Sequence, residues 1–453
     1  MSGDIAAPGS GGDGTLQVTL TACQPLAVGV TSEVGYVTES HPYVPGSVLR
    51  GALAAAWIAE YGPPDQCDPA DAARFRLLFD SGVRYGPLLP AGSRRVPMSV
   101  YRCKYPRDLA CRGFVDDRAF GSEPAEACPS CDGPLTPGKG ALELPPGLRL
   151  TRTTRTSIDG RTGTAKDQEL YARGALPVGT RLEGSIWPGP QPLPGWAVDW
   201  LTADRAVRVG GRRTVGGQAG YTAAVASTAD PVVDTDRLVL RLTSPAVFVD
   251  AAGRPAPEPL PEVDLAGTGV TVTRRWVRTG TWSGWHAASH LPKPADLCAE
   301  AGSTYLLTGA PAALAAFGRR AVRYGLGLRR DEGFGVAKVC TEAWQPTVSG
   351  EEHPSGPTDL AKWVCELKLR DYELRWLLGV MRDVQGVCPE DQPVPQTVVK
   401  ELLKQPTGAK LSGRQKDSIS AALTTELTVQ QLRDVITVVE HRRADYHVRE
   451  GNR

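Results

Sequence analysis

Eleven residues, Gly325-Leu326-Gly327-Leu328-Arg329-Arg330-Asp331-Glu332-Gly333-Phe334-Gly335, hold four glycines and two adjacent arginines. Glycine takes left-handed backbone conformations at little steric cost, so this spacing predicts a tight loop that can approach an anion closely. A helix-like run enters it and a strand-like run leaves it. A second stretch, Gly210-Gly211-Arg212-Arg213-Thr214-Val215-Gly216-Gly217, has the same character. Two such loops in one chain imply one fold used twice.

Length agrees, because 453 residues exceed one ordinary core. Hydrophobic content of 41% with 22% charged residues fits a soluble globular protein. No apolar run reaches membrane-spanning length and the start has no basic-then-apolar leader, so a cytoplasmic protein without a membrane partner is expected. A formal net charge of +1 excludes a uniformly basic nucleic-acid binder. The positive charges are nonetheless grouped, as Arg152, Arg155, Arg161 and Lys166, as Arg274, Arg275 and Arg278, and as Arg319, Arg320, Arg323, Arg329 and Arg330. Solvated surface charge explains any one group; three beside turn or glycine signals point to an anionic partner.

Residues 1–14 read as a disordered leader. Leu16 to Thr21 alternates as a half-buried strand, and Pro45-Gly46-Ser47 opens a helix running to Glu60. Arg50 falls off its apolar stripe, free to face a ligand at the first turn. Residues 62–147 form a Pro-rich insertion. Beyond it come a strand from Leu148, a polar hairpin-like segment from Arg155 to Leu170, a strand from Gly179 to Trp187, a short helix from Trp196 to Ala206, the first glycine loop, and a closing strand from Tyr221 to Val225. That is the ferredoxin-like βαββαβ order over 15–230. A second copy over 236–345 starts with a long strand from Arg237 to Val249 and lacks its first helix. It continues through strands at Val270–Arg278 and Ser303–Leu307, a helix at Pro311–Tyr324, the opening loop and a last strand. Helical apolar spacing marks a C-terminal module at 356–453. The expected class is α+β, with two tandem ferredoxin-like domains.

Pro42-Tyr43-Val44-Pro45-Gly46-Ser47-Val48-Leu49-Arg50-Gly51-Ala52-Leu53 resembles the helix start of the RAMP proteins of CRISPR systems, and Gly325 to Gly335 resembles their glycine-rich loop. Further stretches, Val83 to Pro90, Arg152 to Leu170 and Gly284 to Pro294, are most similar to the long double-RAMP subunit of type III-D effector complexes. The resemblance covers about residues 15–341. It implies an RNA-binding subunit without catalytic residues that caps the five-prime handle of the CRISPR guide RNA in antiviral defence. Its partners would be the large polymerase-like subunit and the RAMP backbone subunits, with target RNA met indirectly. Residues placed at RNA on this basis are Gly325, Gly327, Gly333, Gly335, Arg212, Arg213, Arg329, Arg330, Arg50, Arg152, Arg155, Arg161 and Arg275, with Phe334 either stacked on a base or in the core. Trp276, Trp282, Trp285 and His286 carry the same alternative, and Asp159 is either a turn carboxylate or an RNA contact.

Cys103, Cys111, Cys128 and Cys131, closed by a Cys-x-x-Cys, have the spacing of a structural Zn2+ site in a module at about 101–135, against the alternative of free buried cysteines. Two other functions stay open. The loop before the helix start has no aspartate, but Glu33, Glu39 and His41 are conceivable acid or base groups of an endoribonuclease processing precursor guide RNA. A zinc-stabilised protein-interaction scaffold is the other.

Overall fold

The computed structural model describes residues 14–30, 37–104, 115–121, 125–129, 131–211, 216–226, 233, 235–286, 289, 291–346 and 379. They form two compact units. The larger holds the described residues up to Val100, Asp117–Gly121 and Pro137–Trp344; the smaller holds those of Tyr101–Asp116, Ser122–Thr136 and from Gln345 onward. The expected leader, apart from Gly14, and the expected helical module, apart from Gly379, lie outside the described residues. None of the described helices is long and apolar enough to cross a membrane.

The larger unit is built from β1 (Leu16–Ala22), α1 (Gly46–Tyr61), α2 (Pro69–Arg76), β2 (Val83–Tyr85), β3 (Thr151–Ile158), β4 (Ala165–Ala175), β5 (Arg181–Pro188), α3 (Gly195–Thr202), β6 (Arg205–Arg208), β7 (Gln218–Val225), β8 (Arg237–Leu242), β9 (Val270–Trp276), β10 (Thr279–His286), β11 (Leu291–Ala299), β12 (Thr304–Gly309), α4 (Pro311–Tyr324) and β13 (Ala337–Cys340). The fold is mixed α+β. One antiparallel sheet has the order β6-β7-β1-β5-β2 and the other the order β9-β12-β8-β13. Counted along the chain, β7-β1-β5-β2 and β13-β8-β12-β9 share one order, fourth-first-third-second.

Burial follows from the pattern. In β1, Leu16, Val18, Leu20 and Ala22 are buried while Gln17 and Thr21 are exposed, the two-residue period of a strand with one face on a core. Leu49, Leu53 and Trp57 of α1 cover that face, with Trp200 and Leu201 of α3 completing the layer. Trp57 meets Trp200 edge-on at 4.9 Å. The second core is made by Leu238, Leu240 and Leu242 of β8, Tyr305 and Leu307 of β12, and Leu314, Phe317 and Ala321 of α4.

The long strand expected from Arg237 to Val249 stops at Leu242, because Pro245 supplies no backbone donor to continue the ladder. The strand expected from Leu148 begins at Thr151. The β10–β11 hairpin, with a bulge between Trp282 and Gly284, was not expected, since Gly280, Gly284, Pro292 and Pro294 obscure its alternation.

Candidate nucleic-acid interface

Both glycine loops are built by equivalent hydrogen bonds. Gly217 N–H donates to Pro25 C=O at 3.1 Å, Gly211 N–H to Ala27 C=O at 3.1 Å and Val209 N–H to Gly217 C=O at 2.8 Å. In the second loop Gly335 N–H donates to Pro245 C=O at 2.7 Å, Leu328 N–H to Val247 C=O at 2.8 Å and Leu326 N–H to Gly335 C=O at 3.0 Å. Each loop thus clamps the segment that follows the first strand of its own sheet. Arg212 and Arg213 lie outside the described residues.

The glycines of the second loop serve this docking. Gly333 has φ +85°, and a Cβ there would stand 2.2 Å from Tyr85 C=O and 2.9 Å from Gly46 Cα. The loop therefore meets the Pro45-Gly46 helix start backbone to backbone. Amides of Leu326, Leu328, Glu332, Gly333, Phe334 and Gly335 donate to carbonyls, and Gly327 N–H donates to the Asp264 carboxylate at 3.1 Å. These donors are spent inside the protein.

The side chains divide sharply. Phe334 is 3% exposed and meets Trp282 edge-on at 5.8 Å, which is its core alternative. Arg329 sits in the left-handed region at φ +54°, lies over Phe334, and divides its guanidinium between Asp296 and Glu332. Burial disfavours its charge, but the two carboxylates outweigh that and raise its pKa. Lys293 pairs with the same Glu332 at 2.7 Å, which ties the β10–β11 hairpin to the loop. Arg50 is not free either, since its Nε donates to Phe79 C=O and its Nη2 pairs with Asp80 at 3.6 Å and Asp331 at 3.8 Å. Arg275 is paired with Glu258. Arg330 remains exposed, without an ion pair among the described residues.

Arg152 and Arg155 on β3 and Arg161 in the following turn are also exposed and unpaired among the described residues. Asp159 accepts from the Arg161 amide at 2.8 Å and the Thr162 amide at 3.0 Å. The Thr162 amide, then that of Arg161, lowers its pKa. It is the turn carboxylate.

His41 stacks on Trp282 with ring centroids 5.0 Å apart, beside Tyr43. Burial, then the Arg95 charge, lowers its pKa to about 4, so the imidazole is neutral at physiological pH. Its unfolded pKa is near 6.5, so the unfolded chain binds the extra proton and stability falls as pH drops through the window from about 6.5 to 4. Urea titrations at pH 7.5 and 4.5 should show a loss attributable to His41 of up to about 3 kcal/mol, much reduced in His41→Asn. Glu33 lies outside the described residues.

Val100–Cys103, Val115–Asp117 and Leu135–Pro137 make a three-stranded sheet. Cys128 N–H donates to Gly133 C=O and Asp132 N–H returns to Cys128 C=O, both at 2.8 Å. This knuckle gathers the Sγ atoms of Cys103, Cys128 and Cys131 within 4.8 Å of one another, and those of Cys103 and Cys131 stand 3.6 Å apart. Thiolates around a tetrahedral zinc at about 2.3 Å lie about 3.8 Å from each other, so the donor set fits. Cys111 lies outside the described residues.

Residues 19–217 match the sequence model of the RAMP superfamily. This part of the chain is similar to the RAMP superfamily. No curated protein matches the sequence. Among solved structures, the chain is similar to one in the type III-B Cmr-beta complex bound to cognate target RNA and AMPPnP (14% identity, TM-score 0.39, 64% of this chain and 86% of that one). It is also similar to a chain of a type IV-B CRISPR complex (15%, TM-score 0.25, 48% and 91%) and to Cas6 in a product complex (18%, TM-score 0.23, 36% and 81%). At these values the assignment rests on the RAMP sequence match.

Proposed function

We propose that this protein is an RNA-binding subunit of a type III, III-D-like, CRISPR effector ribonucleoprotein, without catalytic activity of its own. The second sheet is read as a second RAMP domain, supported by the shared strand order and the matching loop hydrogen bonds. The chain would cap the five-prime handle of the guide RNA and contact the large polymerase-like subunit and the first backbone subunit. The observation carrying this reading is the β3–β4 hairpin, which presents Arg152, Arg155 and Arg161 to solvent without an ion pair among the described residues. Unpaired guanidiniums on an extended ribbon suit phosphates, which accept paired N–H bonds. Cys103, Cys128 and Cys131, with Cys111, would hold a structural zinc that fixes the inserted module. Affinity purification of the full chain from its native host, with sequencing of the bound RNA, tests the function. RNAs sharing one five-prime sequence are expected; purification free of RNA would overturn it.

A further inference from the structure

Arg84 is the central residue of β2 and is 5% exposed. Its Nη2 donates to Val322 C=O in the last turn of α4 at 3.0 Å, and its guanidinium lies 4.2 Å over the Trp187 ring. Nε and Nη1 are buried and have no hydrogen-bond partner among the described residues. A Cβ at Gly325 would stand 2.7 Å from Nη1, so the first glycine of the loop leaves the room in which this guanidinium lies. Among the described residues no carboxylate pairs with Arg84. Burial, then the charge of Arg330, lowers its pKa to about 9. Arg330 is itself exposed and has no ion pair among the described residues.

Arg330 belongs to the loop whose Gly333 meets Tyr85, the neighbour of Arg84, backbone to backbone, and a desolvated guanidinium with two donors unmet is costly unless an anion joins it. A phosphodiester suits the pair, because its two free oxygens accept from two arginines at once. We propose that Arg84 and Arg330 form a subsite for one phosphate of the bound nucleic-acid backbone, where β2 of the first sheet meets the end of α4. This deepens the RNA-binding reading above and rests on it. Arg84 becomes the fixed partner, and Arg330 the exposed one that closes over the phosphate.

The test measures binding of labelled guide RNA to the full chain against salt concentration. Arg330→Ala, an exposed change, should lower the slope of log K against log salt by about 0.7. Arg84→Lys, which keeps the charge and loses the fork, should weaken binding, and adding it to Arg330→Ala should cost less than the sum of the single changes, since both act on one phosphate. An unchanged slope in Arg330→Ala, or strict additivity in the double variant, overturns the subsite. A wild-type chain that binds no RNA refutes the RNA-binding reading instead. In that case inorganic phosphate decides the subsite: protection against heat that is lost in Arg330→Ala supports it, and equal protection in both proteins overturns it.

Discussion

Asp117→Ala should destabilise the larger unit by about 3–5 kcal/mol, the range for removing one partner of a buried ion pair. Asp117 is buried, and its carboxylate accepts from the Arg241 guanidinium, from Ser99 Oγ at 2.6 Å and from the Trp344 amide at 2.8 Å. Arg241 lies on β8 with its side chain 5% exposed and the Ala119 amide also donates to Asp117 at 3.3 Å, so alanine at 117 leaves a desolvated cation and removes the acceptor of three further donors. Ala119, two residues on, packs on Val239 and Leu306, so the carboxylate pins the return of the insertion to the second sheet. Asp117→Asn keeps an acceptor and should recover part of the loss. Urea unfolding checks this, and a change below about 1 kcal/mol for alanine would show that the pair contributes little.

Loss of zinc should have the largest local effect, because apparent binding free energies of structural zinc reach about 10–16 kcal/mol. Under the proposal above, purified protein holds one zinc per chain, and Cys128→Ser with Cys131→Ser removes it. Among the described residues the strands around the cysteines are short, Val100–Cys103 being the longest. Residues about 101–135 should then become protease-sensitive, while the larger unit, with its own two cores, keeps its unfolding midpoint. Metal-free wild-type protein with an unchanged proteolysis pattern contradicts the zinc assignment.

The strands and helices around each core were legible because their apolar periods match their burial. Pro45-Gly46-Ser47 opens α1 as expected, and α4 spans the expected Pro311–Tyr324. The site was less legible. Arginine count and glycine spacing do not say which guanidinium has an internal carboxylate: Arg329 and Arg330 are adjacent, yet one is held by Asp296 and Glu332 and the other faces solvent. Arg50 falls off the apolar stripe of α1, but the acid that engages it from the second loop, Asp331, is distant in sequence. Arg84 was missed because a lone arginine in the apolar run Val83–Pro90 reads as an edge residue. Its only sequence signal is that its neighbours are apolar on both sides. The cysteine spacing foretold the cluster, since a Cys-x-x-Cys knuckle needs only local geometry.

The most direct measurement is guide-RNA affinity as a function of salt for the full chain and for Arg152→Ala, Arg155→Ala, Arg161→Ala combined. Each phosphate contact to a single strand contributes about 0.7 to the slope of log K against log salt, so three contribute about 2, which corresponds to about 50-fold in affinity at 0.15 M salt. RNA binding through the hairpin predicts that the combined variant loses both while keeping the wild-type unfolding midpoint. A variant that folds and binds guide RNA with wild-type affinity and slope would contradict it.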